Sequence, residues 1–155
     1  MMNNEEIVFM DKSGQLVVIE PMVVDKLLSY RQMNPLAVEA GGVLIGERRG
    51  GHIVICDISE PGPGDHQTRY CVNRKGPHHQ QKVMTAFKSS NGHFQYIGEW
   101  HTHPEDIPSP SSIDVNSWRG SIQTPHSMVV MIIGRRNIWI GTIFRKVITV
   151  FKAIN

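Results

Sequence analysis

Apolar residues alternate at strand spacing in some segments of the chain and recur at helical spacing in others. Side chains repeat every two residues on a strand and about every 3.6 on a helix, so the two patterns predict different elements. Glycine, proline and asparagine mark the turns between them. The predicted strands are 7–10, 15–19, one within 39–47, 52–58, a possible one at 69–72, 94–100, 127–133, 137–144 and 147–152, and the predicted helices are 21–33, about 78–89 and about 112–122.

This alternation of strands and helices favours an α/β fold, with one mixed β-sheet in a single domain spanning residues 1–155. The chain has 155 residues, which is long enough to bury a substantial core. Hydrophobic residues make up 40% and charged residues 19%, as in ordinary globular proteins. No repeat, low-complexity tract or linker divides the chain.

Charge, cysteines and hydropathy narrow the class of protein further. A net charge of +2 gives no indication of a nucleic-acid partner, which would need a concentrated basic patch. Cys56 and Cys71 form neither a CxxC motif nor a disulfide framework, which favours a reducing compartment. The first residues lack the basic-then-apolar order of a signal peptide, and no apolar run approaches the ~20 residues of a membrane span. We therefore expect a cytoplasmic protein without a membrane partner, and the sequence gives no indication of its oligomeric state.

The strongest candidate chemistry lies at the end of the strand predicted over 94–100. His101 and His103 are two residues apart, so on a strand they face the same side. Pro104 cannot donate to a sheet and is expected to end the strand, and Asp114 follows after a bend rich in proline and serine. Two imidazoles and one carboxylate are three protein ligands, which leave one position for water on a tetrahedral Zn²⁺.

Simpler interpretations of the same residues also exist. Two histidines in this spacing are often just polar residues at the end of a sheet, and Ser111 with Asp114 also matches a helix capping box. The cap and the ligand are compatible, because a helix N-terminus holds a carboxylate rigidly. The remaining histidines are scattered over predicted loops, helix faces and strand ends, and we expect them to be solvated rather than ligands: His52, His66, His78, His79, His93 and His126.

A metal-bound water needs a general base, and the residues alone leave more than one candidate. Glu99 lies two residues before His101, so strand geometry places it on the face of the histidines. Glu39 lies on another element, directly before a strand that begins with the paired glycines Gly41 and Gly42. Position in the sequence does not separate the two. Glu47, Glu105 and Asp106 are further carboxylates near these motifs.

The combination of EAGGVLIGE, GEWHTHP and PSSID resembles the JAMM (MPN-plus, or JAB-type) metalloprotease family. That family's pattern is a distant Glu, then His-x-His-Pro, then Pro-Ser-x-x-Asp, with ten residues between the second His and the Asp. The resemblance implies an MPN/JAB-like domain whose mixed sheet is flanked by helices, a cytidine-deaminase-like architecture, although the deaminase signature itself is absent. It implies that His101, His103 and Asp114 bind Zn²⁺, that Glu39 is the base, and that Ser111 hydrogen-bonds the water or the developing oxyanion.

The resemblance also implies a zinc-dependent peptidase or isopeptidase that cuts after the extended C-terminal tail of a ubiquitin-like or conjugated protein. The chain looks most like compact bacterial members of the family. Some of these are deconjugating peptidases of CBASS-type anti-phage operons, which release a signalling nucleotidyltransferase from its conjugates. Two alternatives stay open: a non-catalytic MPN-like binding module, and a metal-dependent hydrolase of a non-protein substrate such as a nucleotide.

The segments beside the predicted metal centre suggest how a peptide is held. We expect the strand from Gly42 and a mobile loop at 60–65 to flank the metal. A sheet edge there could bind an extended tail by strand addition. A tail with small residues near its end would fit best past the paired glycines.

Overall fold

The computed structural model describes residues 5–155. Most elements in this range begin and end within two residues of the predicted positions. The first helix ends four residues earlier than predicted. The possible strand at 69–72 is only partly confirmed, because residues 69–71 lie in the turn of a small hairpin and Val72 begins its second strand. The strands are β1 (Ile7–Met10), β2 (Leu16–Ile19), β3 (Gly41–Arg49), β4 (His52–Ile58), β5 (His66–Gln67), β6 (Val72–Asn73), β7 (Gln95–Thr102), β8 (Met128–Ile133), β9 (Ile138–Phe144) and β10 (Val147–Ala153), and the helices are α1 (Pro21–Ser29), α2 (His78–Ser89) and α3 (Ser112–Ser121).

Eight of the strands close into a barrel in the order β1-β10-β9-β8-β7-β3-β4-β2, while β5 and β6 form a separate two-stranded sheet. The pairs β2–β4 and β7–β8 are parallel and the other barrel pairs are antiparallel. The predicted mixed sheet is therefore confirmed, within an α/β domain with three helices. Its closure was not predicted, because closure depends on β1 pairing with β10 from the far end of the chain, with Phe9 opposite Ala153.

The core occupies the barrel interior and one patch of its outer surface. Inside, the apolar cluster includes Leu44, Ile97 and Met131, each fully buried. Outside, Trp118 from α3 packs over a second cluster that includes Ile132. Strand β8 is consequently buried along its whole length on both faces, which explains its uninterrupted apolar sequence. Burial of Trp118 fixes α3 against the barrel, so the first turn of this helix is held near the end of β7.

A β-bulge in β7 determines which side chains face outward. Ile97 and Trp100 both belong to the inner cluster although they are three residues apart, and the register with β3 shifts opposite this point. Without the bulge, strict alternation from Ile97 would turn His101 inward. A Cβ on Gly98 would lie 2.0 Å from the carbonyl oxygen of Val129, so the bulge requires glycine.

The three helices pack on the barrel to different extents. Helix α1 starts with Pro21 at its first turn and buries Val23, Val24 and Leu27. Helix α2 is the longest at 12 residues and buries only His79. Within residues 5–155, none of the helices is long and apolar enough to cross a membrane.

Candidate metal centre

Three neighbouring elements bring the predicted site residues together. His101 lies on β7, His103 follows the last residue of that strand, and Asp114 lies in the first turn of α3. Strand β3 runs antiparallel beside β7 with Gly41 opposite His101. Glu39, two residues before Gly41, therefore lies at the same end of the barrel as both histidines.

The donor atoms of His101, His103 and Asp114 point at one another. The two Nε2 atoms are 3.1 Å apart. Asp114 places Oδ1 at 3.2 Å from Nε2 of His101 and Oδ2 at 3.1 Å from Nε2 of His103. Bonds of ~2.0–2.1 Å to a tetrahedral Zn²⁺ place the ligand atoms about 3.3 Å apart. The observed triangle thus has the size that such an ion requires.

The protonation of His103 is set by its second ring nitrogen. Nδ1 of His103 lies 2.7 Å from Oε1 of Glu105, and an ionised carboxylate can only accept a hydrogen bond. Nδ1 therefore carries the hydrogen and Nε2 presents its lone pair toward His101 and Asp114. This is the carboxylate–histidine arrangement that orients metal ligands. The three residues fit a zinc ion both in distance and in donor chemistry.

Asp114 is fixed by the start of its own helix. The backbone N–H of Ser111 donates to Oδ2 of Asp114 at 2.9 Å, and the N–H of Asp114 donates to Oγ of Ser111 at 3.0 Å. Burial by itself raises the pKa of Asp114, but its contacts with the imidazoles of His101 and His103 and with the backbone N–H of Ser111 outweigh burial and hold that pKa well below its usual range. The group is therefore a carboxylate at any physiological pH, as a metal ligand must be.

Glu39 is a buried carboxyl beside the three donors, with only 7% of its surface exposed. Burial raises the pKa of Glu39 to about 7, since desolvation outweighs the attraction of His101 and His103. Both backbone groups of Glu39 are held by the β5–β6 hairpin: its N–H donates to the carbonyl of Thr68 at 2.6 Å, and its carbonyl accepts from Nε2 of Gln67 at 3.0 Å. A carboxyl that titrates near neutrality is suited to accept and return a proton.

Glu99 lies in the same cleft but is already engaged. Its carboxylate forms an ion pair with the guanidinium of Arg74, the residue that follows β6. This ion pair occupies one of the carboxylate oxygens of Glu99. Glu39 is thus the carboxyl with the environment of a proton acceptor, a distinction that strand spacing could not provide.

Two cavities meet at the three donors. One, of about 260 Å³, is lined by Glu39, His101 and Asp114 together with Trp118. The other, of about 440 Å³, is lined by Glu39, Asp114, His103 and Ser111. Tyr70 and Ile113 line both and are 76% and 78% exposed. The cleft therefore passes across the donors from one side to the other, with an apolar side chain on each wall.

The paired glycines serve the packing of the barrel. A Cβ on Gly42 would lie 2.1 Å from the carbonyl oxygen of Ser59 and 2.8 Å from Nε1 of Trp100. Gly41 lines the smaller cavity beside Val72.

The expected sheet edge at this strand is wrong, because β3 is paired on one side with β4 and on the other with β7. Strand β6 borders the cleft through Val72, and β6 is paired on one side only, with β5.

A second cluster of metal-type donors lies behind the hairpin. Asp65, His78 and His79 place one donor atom each within 4.8 Å of one another. Hydrogen bonding accounts for this cluster: Nε2 of His79 donates to Asp65, and Nδ1 of His79 accepts from the hydroxyl of Ser59 at 2.6 Å. Nε2 of His78 donates to the carbonyl of Glu60 at 2.7 Å. A metal on both Nε2 atoms would leave the hydrogen of His79 on Nδ1, and the hydroxyl of Ser59 would then lose its acceptor. We therefore assign Asp65, His78 and His79 as a hydrogen-bonded cluster, called the anchor below.

This anchor corrects two expectations from the sequence. His79 was expected to be solvated and is 5% exposed, because its partners Asp65 and Ser59 come from segments that spacing alone does not connect. The loop at 60–65 was expected to be mobile. The carboxylate of Asp65 accepts the backbone N–H groups of Gly62 and Gly76, which ties this loop to the residues before α2.

Comparison with known proteins identifies the fold and the family. A family model described as prokaryotic homologs of the JAB domain matches residues 23–145. The chain belongs to this JAB family. The solution structure of protein DSY2949 from Desulfitobacterium hafniense superposes with a TM-score of 0.63 over 85% of this chain and 87% of that one, at 19% identity, which supports the JAB-like fold.

Curated relatives of this JAB protein carry a specific name. A protein of Vibrio cholerae called CD-NTase/cGAS isopeptidase is 55% identical over 154 residues, which is 99% of each chain. A protein of the same name from Escherichia coli is 54% identical over 140 residues, or 90% of each chain. Another, from Pseudomonas aeruginosa, is 29% identical over 133 residues, or 84% of each chain.

Proposed function

We propose that this JAB-family protein is a zinc-dependent isopeptidase that releases a CD-NTase, a signalling nucleotidyltransferase, from its conjugates. The observation that carries the proposal is the triangle of donor atoms from His101, His103 and Asp114, with the buried carboxyl of Glu39 beside it. The names of relatives at 55% and 54% identity supply the partner. A role in antiviral deconjugation follows from that partner, and the free cysteines Cys56 and Cys71 favour a cytoplasmic setting.

The three ligands would hold Zn²⁺, which supplies a water of lowered pKa and polarises the scissile carbonyl when bound. Glu39 would accept one proton from the attacking water as the oxygen of that water bonds to the carbonyl carbon. The same carboxyl then passes the proton to the leaving amine nitrogen as the C–N bond breaks. The products are a free C-terminal carboxylate and a free amine.

Ser111 would stabilise the oxyanion that forms during attack. It lines the larger cavity with Glu39 and His103. Its Oγ accepts the N–H of Asp114, an arrangement in which the hydroxyl hydrogen can still donate toward the cleft. Where one such donor has been removed from other enzymes, the loss amounts to ~2.7–4 kcal/mol of transition-state stabilisation.

The shape of the cleft favours an extended peptide over a compact small molecule. The cleft crosses the donors between Tyr70 and Ile113, and its hairpin wall carries Val72 at the unpaired side of β6. A C-terminal tail lying there could add to β6 by main-chain hydrogen bonds. A Cβ on Gly41 would lie 3.0 Å from Cγ1 of Val72 and 3.0 Å from the carbonyl oxygen of Trp100, so this wall of the cleft is crowded and favours a small side chain next to the scissile bond.

The test uses a fusion in which the C-terminus of a candidate CD-NTase is joined to a reporter, with the cut mapped by mass spectrometry. We expect one cut, directly after the native C-terminus, that is lost with chelator and in Glu39→Gln. A lysine-linked conjugate of the same tail tests the isopeptide bond. If neither is cut while a nucleotide or small amide is hydrolysed, the substrate is not a protein. If nothing is hydrolysed, the protein is a binding module.

A further inference from the structure

Gln32 is a fully buried polar residue just beyond α1, at 0% exposure. Its side-chain amide bonds to three separate segments. Nε2 donates to the carbonyl of Ala37 at 3.2 Å and to that of Arg69 at 2.8 Å. Oε1 accepts from the hydroxyl of Thr102 at 2.8 Å. Buried amides are costly unless their hydrogen bonds are made, so this three-way contact is a defined arrangement.

Each of these segments leads to the candidate metal centre. Thr102 is fully buried and lies between His101 and His103 on β7. Its Oγ1 also accepts the N–H of Ala40 at 2.9 Å, and its own N–H donates to the carbonyl of Ala40 at 2.9 Å. The ligand strand is therefore bound directly to the residue after Glu39.

The other two hydrogen bonds of Gln32 reach Ala37 and Arg69, in the two segments next to Glu39. Ala37 lies two residues before it. Arg69 lies in the turn of the β5–β6 hairpin, whose Thr68 carbonyl accepts the N–H of Glu39. Gln32 is thus the one described side chain that bonds to the segment before Glu39, to the hairpin over it and, through Thr102, to the strand of the metal ligands.

We infer that Gln32 is a positioning residue that fixes the carboxyl of Glu39 relative to the metal ligands. The inference rests on the proposed role of Glu39 as the base. Gln32 acts only through Thr102 and through the backbone on either side of Glu39. Since a displacement of about 1 Å can cost ~10²-fold in rate, a loss of these bonds should act chiefly on turnover.

The chemistry of the site requires an amide at this position. Two carbonyl oxygens face Nε2 and need a donor, while the hydroxyl of Thr102 needs an acceptor. Methionine has a similar length and offers neither. Glutamate would supply the acceptor but would set its second oxygen against two carbonyls. Gln32→Met therefore removes all three bonds with little change in volume.

The experiment compares Gln32→Met with Gln123→Met, at an exposed glutamine just beyond α3 that serves as the matched control. Both should retain one equivalent of zinc. Only Gln32→Met should lower kcat, by ~10²-fold with a smaller change in KM. In a Glu39→Gln background, Gln32→Met should lower the residual rate by no more than about twofold, because the effects of residues that act as a unit do not add. An equal loss in both backgrounds would show that Gln32 does not act through Glu39.

A readout that needs no substrate keeps this inference separate from the proposed activity. In Gln32→Met, amide hydrogen exchange at Glu39 and Ala40 should be faster by ~10-fold or more, while exchange at Ile132 in β8 stays unchanged. Unchanged exchange at Glu39 and Ala40 overturns the inference, whatever the enzyme cuts.

The hydroxyl of Thr102 provides a second test that does not depend on how well Gln32→Met folds. Thr102→Val removes the hydroxyl at nearly constant volume and should lower kcat, whereas Thr102→Ser should retain it. Thr142→Val, at a buried threonine on β9, controls for the loss of a buried hydroxyl elsewhere in the barrel. Equal activity of the valine and serine variants at position 102 overturns the inference.

Discussion

Ser111 and Asp114 each donate a backbone N–H to the other's side chain, at 2.9 and 3.0 Å. This reciprocal pair starts α3 and also directs the carboxylate of Asp114 at His101 and His103. The capping box that the sequence offered as a simpler interpretation is real, and it is the device that orients the candidate ligand. The same serine is thus expected to serve both stability and catalysis.

Ser111→Ala should separate these two contributions. Turnover should fall by roughly 10²–10³-fold through the lost oxyanion donor. The free energy of unfolding should fall by ~1 kcal/mol through the lost cap. Activity is measured well below the melting temperature, so that unfolding does not contribute. An unchanged rate together with a lower melting temperature would mean that the serine is only a cap.

Metal analysis should find one zinc per chain in protein purified without chelator. The double variant His101→Ala/His103→Ala should lose it, because the remaining carboxylate of Asp114 is a weak site alone. The matched control is His78→Ala/His79→Ala in the second cluster, which should keep one equivalent. A second equivalent in the wild type that disappears in this control would contradict our hydrogen-bonding assignment of the cluster around Asp65.

Glu39→Gln should keep the zinc and the fold but lose at least ~10²–10⁴-fold in turnover, since only the proton acceptor is removed. Glu99→Gln is the matched control in the same cleft. It loses the ion pair with Arg74 and should cost much less. Steady-state rates on the CD-NTase fusion decide between the two, and the reverse order of effects would make Glu99 the base.

Glu105→Ala should weaken zinc binding by ~10–100-fold, the usual cost of removing the carboxylate behind a ligating histidine. The contact responsible is the 2.7 Å hydrogen bond to Nδ1 of His103. Glu105→Gln keeps an acceptor for that hydrogen and should lose less. Competition with a chelator of known affinity measures both variants. Equal affinity in the wild type and Glu105→Ala would show that the contact does not orient the ligand.

The anchor at His79 predicts how stability depends on pH. Burial lowers the pKa of His79 below its ordinary 6.5, although Asp65 opposes this effect. The unfolded chain therefore binds the proton first as the pH falls. The stability that neutral His79 contributes should be complete above pH 6.5 and should be lost as the pH decreases from there toward the folded pKa.

Urea unfolding between pH 5 and 7 measures this dependence. His79→Gln should flatten the slope of unfolding free energy against pH over that range, and His93→Gln, at an exposed histidine, should leave it as in the wild type. A slope that persists in His79→Gln would assign the dependence to another group.

Local spacing was sufficient to predict most elements and to single out the three candidate ligands. His101 and His103 share a face because they lie two apart, and Asp114 was recognisable from its serine cap. What spacing could not supply was the partner of each carboxyl. Glu99 and Glu39 were equivalent until Arg74 was seen to pair with one of them and the β5–β6 hairpin to cover the other. Gln32 carried no signal in sequence, since its three partners come from distant segments.

The pairing of β1 with β10 has a consequence for synthesis on the ribosome. Phe9 cannot meet Ala153 until β10 has been translated, so one side of β1 stays open until then. Contacts this far apart in sequence make folding slow. We expect that the nascent chain closes its barrel only after β10 has emerged from the ribosome, and that a permuted chain with β10 placed before β1 would close this seam from a short hairpin.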